Sequence, residues 1–335
     1  MKVIKYAVII VVVLAVVGTV LLLYYREQQP TAMPDAQAIN RLQPKDRDAI
    51  RGLLADFAVG TAKKDSPPSI DAPQFDLFQQ ANVWLLPDDV VFGVVDGTTA
   101  YAFPQRILAW HQVANITLNG AAAALTYCPL TGTTIGYFAP GKNDSAPFGV
   151  SGRLANSNLV IYDRKTDSYW PQILGRAIQG PLLWQRLEEF PVIWTTWGRW
   201  SHVHPDTRVL SRNSGSFQTY GNKNDPYGSY LERSGYYFND ALLFTPVNFS
   251  QRLASKEIVV GVRDKDNNAL AVPMDRLRQK GQVSSVLGGR PLTVNYDADL
   301  DSATAIYGDT GEWANAISAM WFAWYAFYPG TAVVE

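Results

Sequence analysis

The segment Val90–Pro104, VVFGVVDGTTAYAFP, has the pattern of two strands joined by a tight turn. Asp96-Gly97 lies between the two apolar runs, and this pair favours a two-residue hairpin because glycine accepts the positive φ that the turn requires. Pro104 suits a first helical turn and predicts a helix over 105–113. A second hairpin follows at 116–127, around Asn119-Gly120. The order strand, strand, helix, strand, strand predicts a β-rich α+β unit.

The same pattern returns later in the chain, where residues 258–273 read IVVGVRDKDNNALAVP. Gly93 precedes Gly261 by 168 residues, and Pro104 precedes Pro273 by 169. Towards the end of each repeat the offset falls to 124, as four pairs show: Trp197 and Trp321, Trp200 and Trp324, Pro205 and Pro329, Thr207 and Thr331. Such constant offsets are typical of an internal duplication.

We therefore predict an α+β, β-rich fold made of two ββαββ-type halves, built from hairpins with short helices. The halves are 75–210 and 255–335, and each is closed by an aromatic helix. The first half is longer by 45 residues, which we assign to a hairpin insertion at 131–185. Residues that only the first half carries are the better site candidates. Cys128 is one, since Asp297 occupies its place in the second half.

The N-terminus carries an uncharged apolar run of 20 residues, Tyr6–Tyr25. At about 1.5 Å per helical residue it matches the ~30 Å hydrocarbon core of a bilayer. Lys2 and Lys5 precede the run and favour an N-inside orientation. We predict a single-pass anchor at 1–27 in the cytoplasmic (inner) membrane, with the domain on the periplasmic, extracytoplasmic side. The alternative is a cleaved signal peptide, for which Ala36-Gln37-Ala38 has the form of a cleavage site.

Residues 28–69 are predicted to form a linker that contains a short amphipathic helix at 44–58. The chain as a whole has 29 basic and 30 acidic residues and a formal charge of −1. This balance provides no basic face, so we expect no nucleic-acid partner. The single cysteine excludes an intrachain disulfide.

From about residue 70 to its end, the chain carries motifs that resemble domain-of-unknown-function family 3179 (DUF3179) of bacteria and archaea. The matching stretches are AFPQRILAWH at 102–111, TYCPLTGT at 126–133, FGVSG at 148–152, NSNLVIYDR at 156–164, WPQ at 170–172, TTW at 195–197, HPDT at 204–207 and WFAWYAF at 321–327. The resemblance implies one family domain over 70–335, and it names no reaction.

The chain departs from the usual pattern of this family at three places. Typical members have a Cys-Pro-Leu-Cys-Gly motif, and here Thr131 fills the second cysteine position. They also tend to have Asn-Asp where this chain has Asn115-Ile116, and methionine where it has Ile161. Family chemistry that needs a cysteine pair or a methionine ligand would therefore be missing here.

Cys128 ends an apolar strand and is the leading site candidate. It could act as a thiolate nucleophile, a persulfide carrier or a soft-metal ligand, and a nearby cation would favour the thiolate. His111 and Arg106 on the preceding helix could supply that charge, so we predict a catalytic group of Cys128, His111 and Arg106. The alternative is a small buried thiol, which is common for free cysteine.

Polar residues of the insertion are the candidate ligand-binding groups: Ser151, Asn158, Tyr162, Asp163 and Arg164. Asp163 and Arg164 could equally form an ion pair at a turn. With a third ligand, His111 and Cys128 could hold copper or zinc. Two functions follow as alternatives, with no small-molecule or protein partner specified: a membrane-anchored thiol enzyme or soft-metal handler, and a non-catalytic binding or scaffold module with an inert cysteine.

Overall fold

The computed structural model describes residues 36–57, 62–141, 147–215, 226–228 and 234–334. The chain divides into two compact units, 1–43 and 44–335. In the first unit the described part contains helix α1, Ala36–Asn40. The predicted anchor at Tyr6–Tyr25 lies outside the described residues.

The second unit is β-rich α+β, which confirms the predicted fold class. Its first elements run from the N-terminal helix to the insertion: α2 (Pro44–Phe57), β1 (Phe75–Leu77), α3 (Phe78–Ala81), β2 (Val90–Asp96), β3 (Thr99–Pro104), α4 (Gln105–His111), β4 (Val113–Leu118), β5 (Ala121–Cys128), β6 (Thr133–Phe138), β7 (Phe148–Ala155), β8 (Asn158–Asp163) and β9 (Tyr169–Pro171). The remaining elements run to the C-terminus: β10 (Glu189–Phe190), β11 (Ile193–Thr196), α5 (Trp197–Val203), β12 (Arg208–Leu210), β13 (Ile258–Arg263), β14 (Ala269–Pro273), α6 (Met274–Lys280), β15 (Gln282–Leu287), β16 (Arg290–Asp297), β17 (Ser302–Tyr307), β18 (Trp313–Ala314), β19 (Ile317–Met320), α7 (Trp321–Phe327) and β20 (Ala332–Val333). Short 3-10 helices lie at Arg212–Ser214 and Gly235–Tyr237.

Two pairs of sheets have matching strand orders. The sheet β1-β12-β3-β2-β11 corresponds to β20-β14-β13-β19, and the sheet β10-β6-β5-β4 corresponds to β18-β17-β16-β15. The registers match as well: Gly93 pairs with Ala102 in the first half, and Gly261 pairs with Ala271 in the second. In both halves the strand after the aromatic helix joins its sheet in parallel.

The insertion lies further along the chain than the sequence suggested. Strand β6 has a counterpart in β17, and β10 has one in β18, so the extra residues fall between Phe138 and Glu189 rather than at 131–185. They form a separate three-stranded sheet, β7-β8-β9. The error arose because β6 keeps the strand pairing of its counterpart but few of its residue types.

Helix α4 is shorter than predicted, since it ends at His111 rather than at residue 113. Gln112 adopts a φ of +61°, which terminates the helix, and Val113 starts β4. The backbone oxygen of Gln112 then accepts a hydrogen bond of 2.8 Å from the backbone nitrogen of Tyr127. This hairpin-like closure fixes the C-terminal end of α4 beside the end of β5, where Cys128 lies.

Candidate functional site

Cys128, the last residue of β5, is buried with 2% of its surface exposed. Its Sγ accepts a hydrogen bond of 3.3 Å from the backbone nitrogen of Leu159 and lies 3.9 Å from the backbone oxygen of Ser157. Burial raises the pKa of the thiol, and hydrogen bonds from Thr131 and Leu159 offset part of that rise. The protein therefore holds Cys128 as a neutral thiol against the start of β8.

His111 and Arg106 have partners in other segments. His111 is fully buried, and its Nδ1 lies 2.7 Å from the backbone oxygen of Pro68. Burial lowers the pKa of His111, and the hydrogen bond to Pro68 raises it in part. Arg106 forms an ion pair with Asp89 and a long hydrogen bond, 3.5 Å, to the backbone oxygen of Trp84. These contacts attach α4 to the segments on either side of β1.

Asn158 lies at the centre of a buried polar network between the insertion and the sheet that carries Cys128. Its Nδ2 donates to Thr131 Oγ1 and to Gln172 Oε1, both at 3.0 Å, and its Oδ1 accepts from Ile173 N at 2.8 Å. Gln172 Nε2 donates to Thr126 Oγ1 at 2.9 Å. Each member of the network is hydrogen-bonded, so the network joins β8 and β9 to β5 and β6.

Ser151 lies in the same sheet as Asn158, but its hydroxyl forms hydrogen bonds with backbone groups. Its hydroxyl donates to the backbone oxygen of Val160 and accepts from the backbone nitrogen of Arg153 at 3.1 Å. The register of β7 against β8 shifts between Val150 and Arg153. The Ser151 hydroxyl thus satisfies the backbone at a bulge.

Asp163 and Arg164 form contacts on different sides of the insertion. Asp163 accepts hydrogen bonds from Trp170 Nε1 at 3.1 Å and from Thr166 N at 2.7 Å, so it closes the turn after β8. Arg164 pairs instead with Asp71 at 2.9 Å, and the Tyr162 hydroxyl donates to Asp65 at 2.7 Å. Burial, followed by the hydrogen bond to Asp65, raises the pKa of Tyr162 to about 12.

The described residues contain no group of three or more His, Cys, Asp or Glu side chains arranged to hold a metal ion. Thr131, at the position of the second cysteine in the family motif, is hydrogen-bonded to Cys128 and to Asn158. A cysteine there would lie beside Cys128. In this chain that neighbour is a hydroxyl, a poor ligand for soft metals.

A cavity of about 670 Å³ that the sequence did not predict lies between the two halves. It is lined by β11 on one side and by β13, α6 and β19 on the other, together with the segment 237–240. Trp194, Tyr237 and Phe238 contribute aromatic walls, and its charged side chains are Asp240, Lys256, Glu257, Asp275, Arg278 and Asp301. Pockets of this size between units of a fold are the usual place for small ligands.

Both cationic side chains of this cavity are engaged by the protein. Lys256 Nζ donates to the backbone oxygens of Tyr236 and Ala241 and lies 3.5 Å from the centre of the Tyr236 ring. Arg278 pairs with Asp275 at 2.7 Å and with Asp301 at 2.8 Å.

Two carboxylates of the cavity have no such partner. Within the described part of the chain, the side chains of Glu257 and Asp240 make no hydrogen bond or ion pair, although the charge of Asp240 acts on Lys256 through space. The only sequence signal for Glu257 is its position just before β13, a place that Asp89 takes before β2.

Across 36–57, 62–141, 147–215, 226–228 and 234–334, no helix combines the length and the apolar character needed to cross a membrane. The run Tyr6–Tyr25 lies outside these ranges.

Matched sheets, an inserted three-stranded sheet and a polar network beside a buried cysteine define a β-rich α+β domain of repeated design. The model of the family described as "Protein of unknown function (DUF3179)" matches residues 64–312, so the chain belongs to the DUF3179 family. This confirms the resemblance of the motifs. No curated protein and no solved structure matches the chain.

Proposed function

We propose that this chain is a membrane-anchored, extracytoplasmic binding module whose cavity between the halves takes a small organic cation. The observation that carries the proposal is a pair of carboxylates, Glu257 and Asp240, in a cavity with aromatic walls; within the described residues neither makes a hydrogen bond or an ion pair. A ligand cation would satisfy both the carboxylates and the ring faces of Trp194 and Tyr237. Of the other charged lining groups, Arg278 is paired with Asp275 and Asp301, and Lys256 is hydrogen-bonded to backbone oxygens.

The two halves in this proposal are copies of one unit, and the cavity lies where the copies meet. The matched strand orders and registers support duplication. In each half the indole nitrogen of a tryptophan donates to a threonine, from Trp200 to Thr207 at 2.9 Å and from Trp324 to Thr331 at 3.0 Å. The insertion and Cys128 belong to one copy only.

Cys128 is a structural thiol in this proposal. A thiol nucleophile works as the thiolate and requires access to solvent or substrate, whereas burial here favours the protonated form. The distinguishing measurement is titration of the native protein with a thiol reagent. We expect no reaction until the domain is unfolded. Stoichiometric reaction of the native protein would instead favour the hypothesis that the protein is a thiol enzyme.

The ligand hypothesis is tested by calorimetric titration of the full-length protein in detergent with choline, spermidine and arginine as probes. We expect at least one probe to bind, and Glu257→Gln to weaken its binding by about tenfold or more, since a charged hydrogen bond contributes about 1.5–3 kcal/mol. Glu188→Gln is the matched control, because Glu188 is exposed and does not line the cavity. Binding that is equal in both variants would place the ligand elsewhere.

The anchor part of the proposal rests on the uncharged run Tyr6–Tyr25 behind Lys2 and Lys5. Fractionation of cells should place the full chain in the inner membrane, and protease added to spheroplasts should digest the domain. A soluble mature protein that begins near Asp35 or Asn40 would instead establish a cleaved signal peptide.

A further inference from the structure

Three arginines meet where the insertion closes on the second half. Arg176 and Arg186 lie directly opposite each other in an isolated antiparallel bridge within the segment that connects β9 to β10 along the chain. Arg263, the last residue of β13, approaches them from the second half. Like charges placed opposite each other across two strands destabilise the pairing, so this arrangement calls for a compensating group.

One carboxylate contacts this cluster, and it does not balance three positive charges. Glu189 Oε1 lies 2.7 Å from Arg263 Nη1 and 3.9 Å from Arg186 Nη1. The other oxygen of Glu189 accepts from Asn315 Nδ2 at 2.6 Å. The carboxylates of Asp46 and Asp266 act on Arg176 through space. The innermost pair, Arg186 and Arg263, therefore shares the single charge of Glu189.

Each arginine keeps one buried N–H donor without a hydrogen-bond partner in the described structure. These atoms are Arg176 Nε, Arg186 Nε and Arg263 Nη2. The side chain of Arg263 is only 1% exposed, so water does not reach it freely. Buried charged donors are normally satisfied, and an unsatisfied group in a native protein points to a missing water or ion.

We propose that Arg176, Arg186 and Arg263 form a binding site for a small oxyanion, a carboxylate or a phosphate. Guanidinium groups bind the oxygens of such anions through two parallel N–H donors. The backbone of Gly175 lies against the cluster, and Gly175 has no side chain to fill the space beside Arg263. A β-carbon on Gly175 would lie 3.1 Å from Arg263 Nη2 and would crowd the free donor.

A second cavity, of about 730 Å³, lies near the cluster, although the three arginines do not line it. Trp184, Asn267 and Tyr328 line it. The Trp184 ring lies 5.5 Å from the guanidinium carbon of Arg176, and Asn267 Oδ1 accepts from Arg186 Nη2 at 3.0 Å. This site is separate from the cavity between the halves and does not depend on the function proposed for it.

The test uses full-length protein in detergent, dialysed into a buffer of low anion content, with sodium phosphate, sodium acetate and sodium chloride added at equal ionic strength. Thermal unfolding and calorimetry are the readouts. We expect phosphate or acetate to raise the unfolding midpoint above its value in chloride, by about 5 °C at a hundredfold excess over Kd. Tighter binding of phosphate would identify the ligand as a phosphate, and tighter binding of acetate would identify it as a carboxylate.

Arg186→Gln should abolish the added shift and weaken binding of the same anion at least tenfold. Arg290→Gln is the matched control, because Arg290 is paired with Asp309 and Glu312 on the surface of the second half, and it should keep the full shift. If Arg186→Gln does not fold, Arg176→Gln replaces it, since Arg176 is partly exposed. Equal midpoints in all three salts, or an equal loss in the Arg290 control, would overturn the proposal.

Discussion

The indole ring of Trp200 lies so close to the backbone of Gly93 that a β-carbon on Gly93 would be 2.1 Å from a ring carbon. Trp324 covers Gly261 in the same way, at 2.4 Å. In both halves, the aromatic helix therefore packs against a strand position where only glycine fits. This contact attaches the helix to its sheet more closely than a side chain at that position would allow.

Gly93→Ala is expected to destabilise the domain by about 1–3 kcal/mol, because overpacking a filled core forces the ring or the backbone to move. Chemical denaturation of the full chain measures the change. Gly52→Ala is the control: nothing lies within 4 Å of a β-carbon at this helical position, so the change should stabilise α2 by up to about 1 kcal/mol. Equal stability of Gly93→Ala and wild type would contradict the contact.

Thr131→Cys should restore the cysteine pair of the family motif and form a disulfide with Cys128 under oxidising conditions. The backbone nitrogen of Thr131 donates to the oxygen of Cys128 at 3.3 Å, and such a turn places the two Cα atoms less than about 7 Å apart, within reach of a disulfide. Mass spectrometry of the unreduced protein would show the loss of two hydrogens. Thr134→Cys is the control. Cys128 pairs with Thr133 in the sheet, so the side chain of Thr134 lies on the opposite face from Cys128. This variant should leave both thiols reduced.

Asn158→Ala should lower the free energy of unfolding by about 2–4 kcal/mol, because it removes several buried hydrogen bonds and leaves the buried Ile173 N without its acceptor. Ile173 N, Thr131 Oγ1 and Gln172 Oε1 all lose their hydrogen bond to Asn158. The matched control is Asn239→Ala at an exposed position, which should change the stability by about 0.5 kcal/mol or less. A small effect of Asn158→Ala would mean that water replaces the amide.

The buried His111 predicts a loss of stability in mild acid. Burial lowers its pKa in the folded protein, so between that value and the unfolded pKa of about 6.5 the unfolded chain binds more protons. The stabilising contribution of neutral His111 is thus complete above pH 6.5 and is lost as the pH falls towards the folded pKa. Each unit of pKa lowering corresponds to about 1.4 kcal/mol.

His111→Asn should flatten this pH dependence, because the asparagine amide can still donate to Pro68 but does not titrate. Denaturation at pH values between 5 and 8 measures the slope. His204→Asn is the comparison: burial also lowers the pKa of His204, but that side chain is partly exposed, so this variant should keep most of the wild-type slope. An unchanged slope in His111→Asn would assign the acid sensitivity to other groups.

The sequence predicted the scaffold better than the site because the scaffold rests on local patterns. Asp96-Gly97 and Pro104 define a hairpin and a helix start, and Gly93 with Trp200 recurs as Gly261 with Trp324 at fixed offsets. The environment of Cys128 depends instead on long-range pairing. Its hydrogen bond comes from Leu159, whose position follows from the packing of an inserted sheet that no local pattern describes.

The partners of the charged side chains could not be predicted from local sequence patterns either. Arg106 was expected beside Cys128 because both lie in one ββαββ unit, but its ion pair is with Asp89, which precedes the unit. Arg176, Arg186 and Arg263 have no common motif, and they meet only because the insertion folds onto the second half. Cavities between halves arise in the same way from surfaces that are far apart in the chain.

The strands on either side of the insertion, β6 and β10, keep the same pairing as their counterparts in the second half. Tyr137 of β6 pairs with Glu189 of β10 although 50 residues, including a whole sheet, separate the two strands, whereas only five residues separate β17 and β18, which pair through Ile306 and Trp313. A whole extra sheet was therefore accommodated without changing the partners of the strands that carry it. If the halves descend from one gene segment, this strand pair tolerates connections that range from five residues to an entire extra sheet.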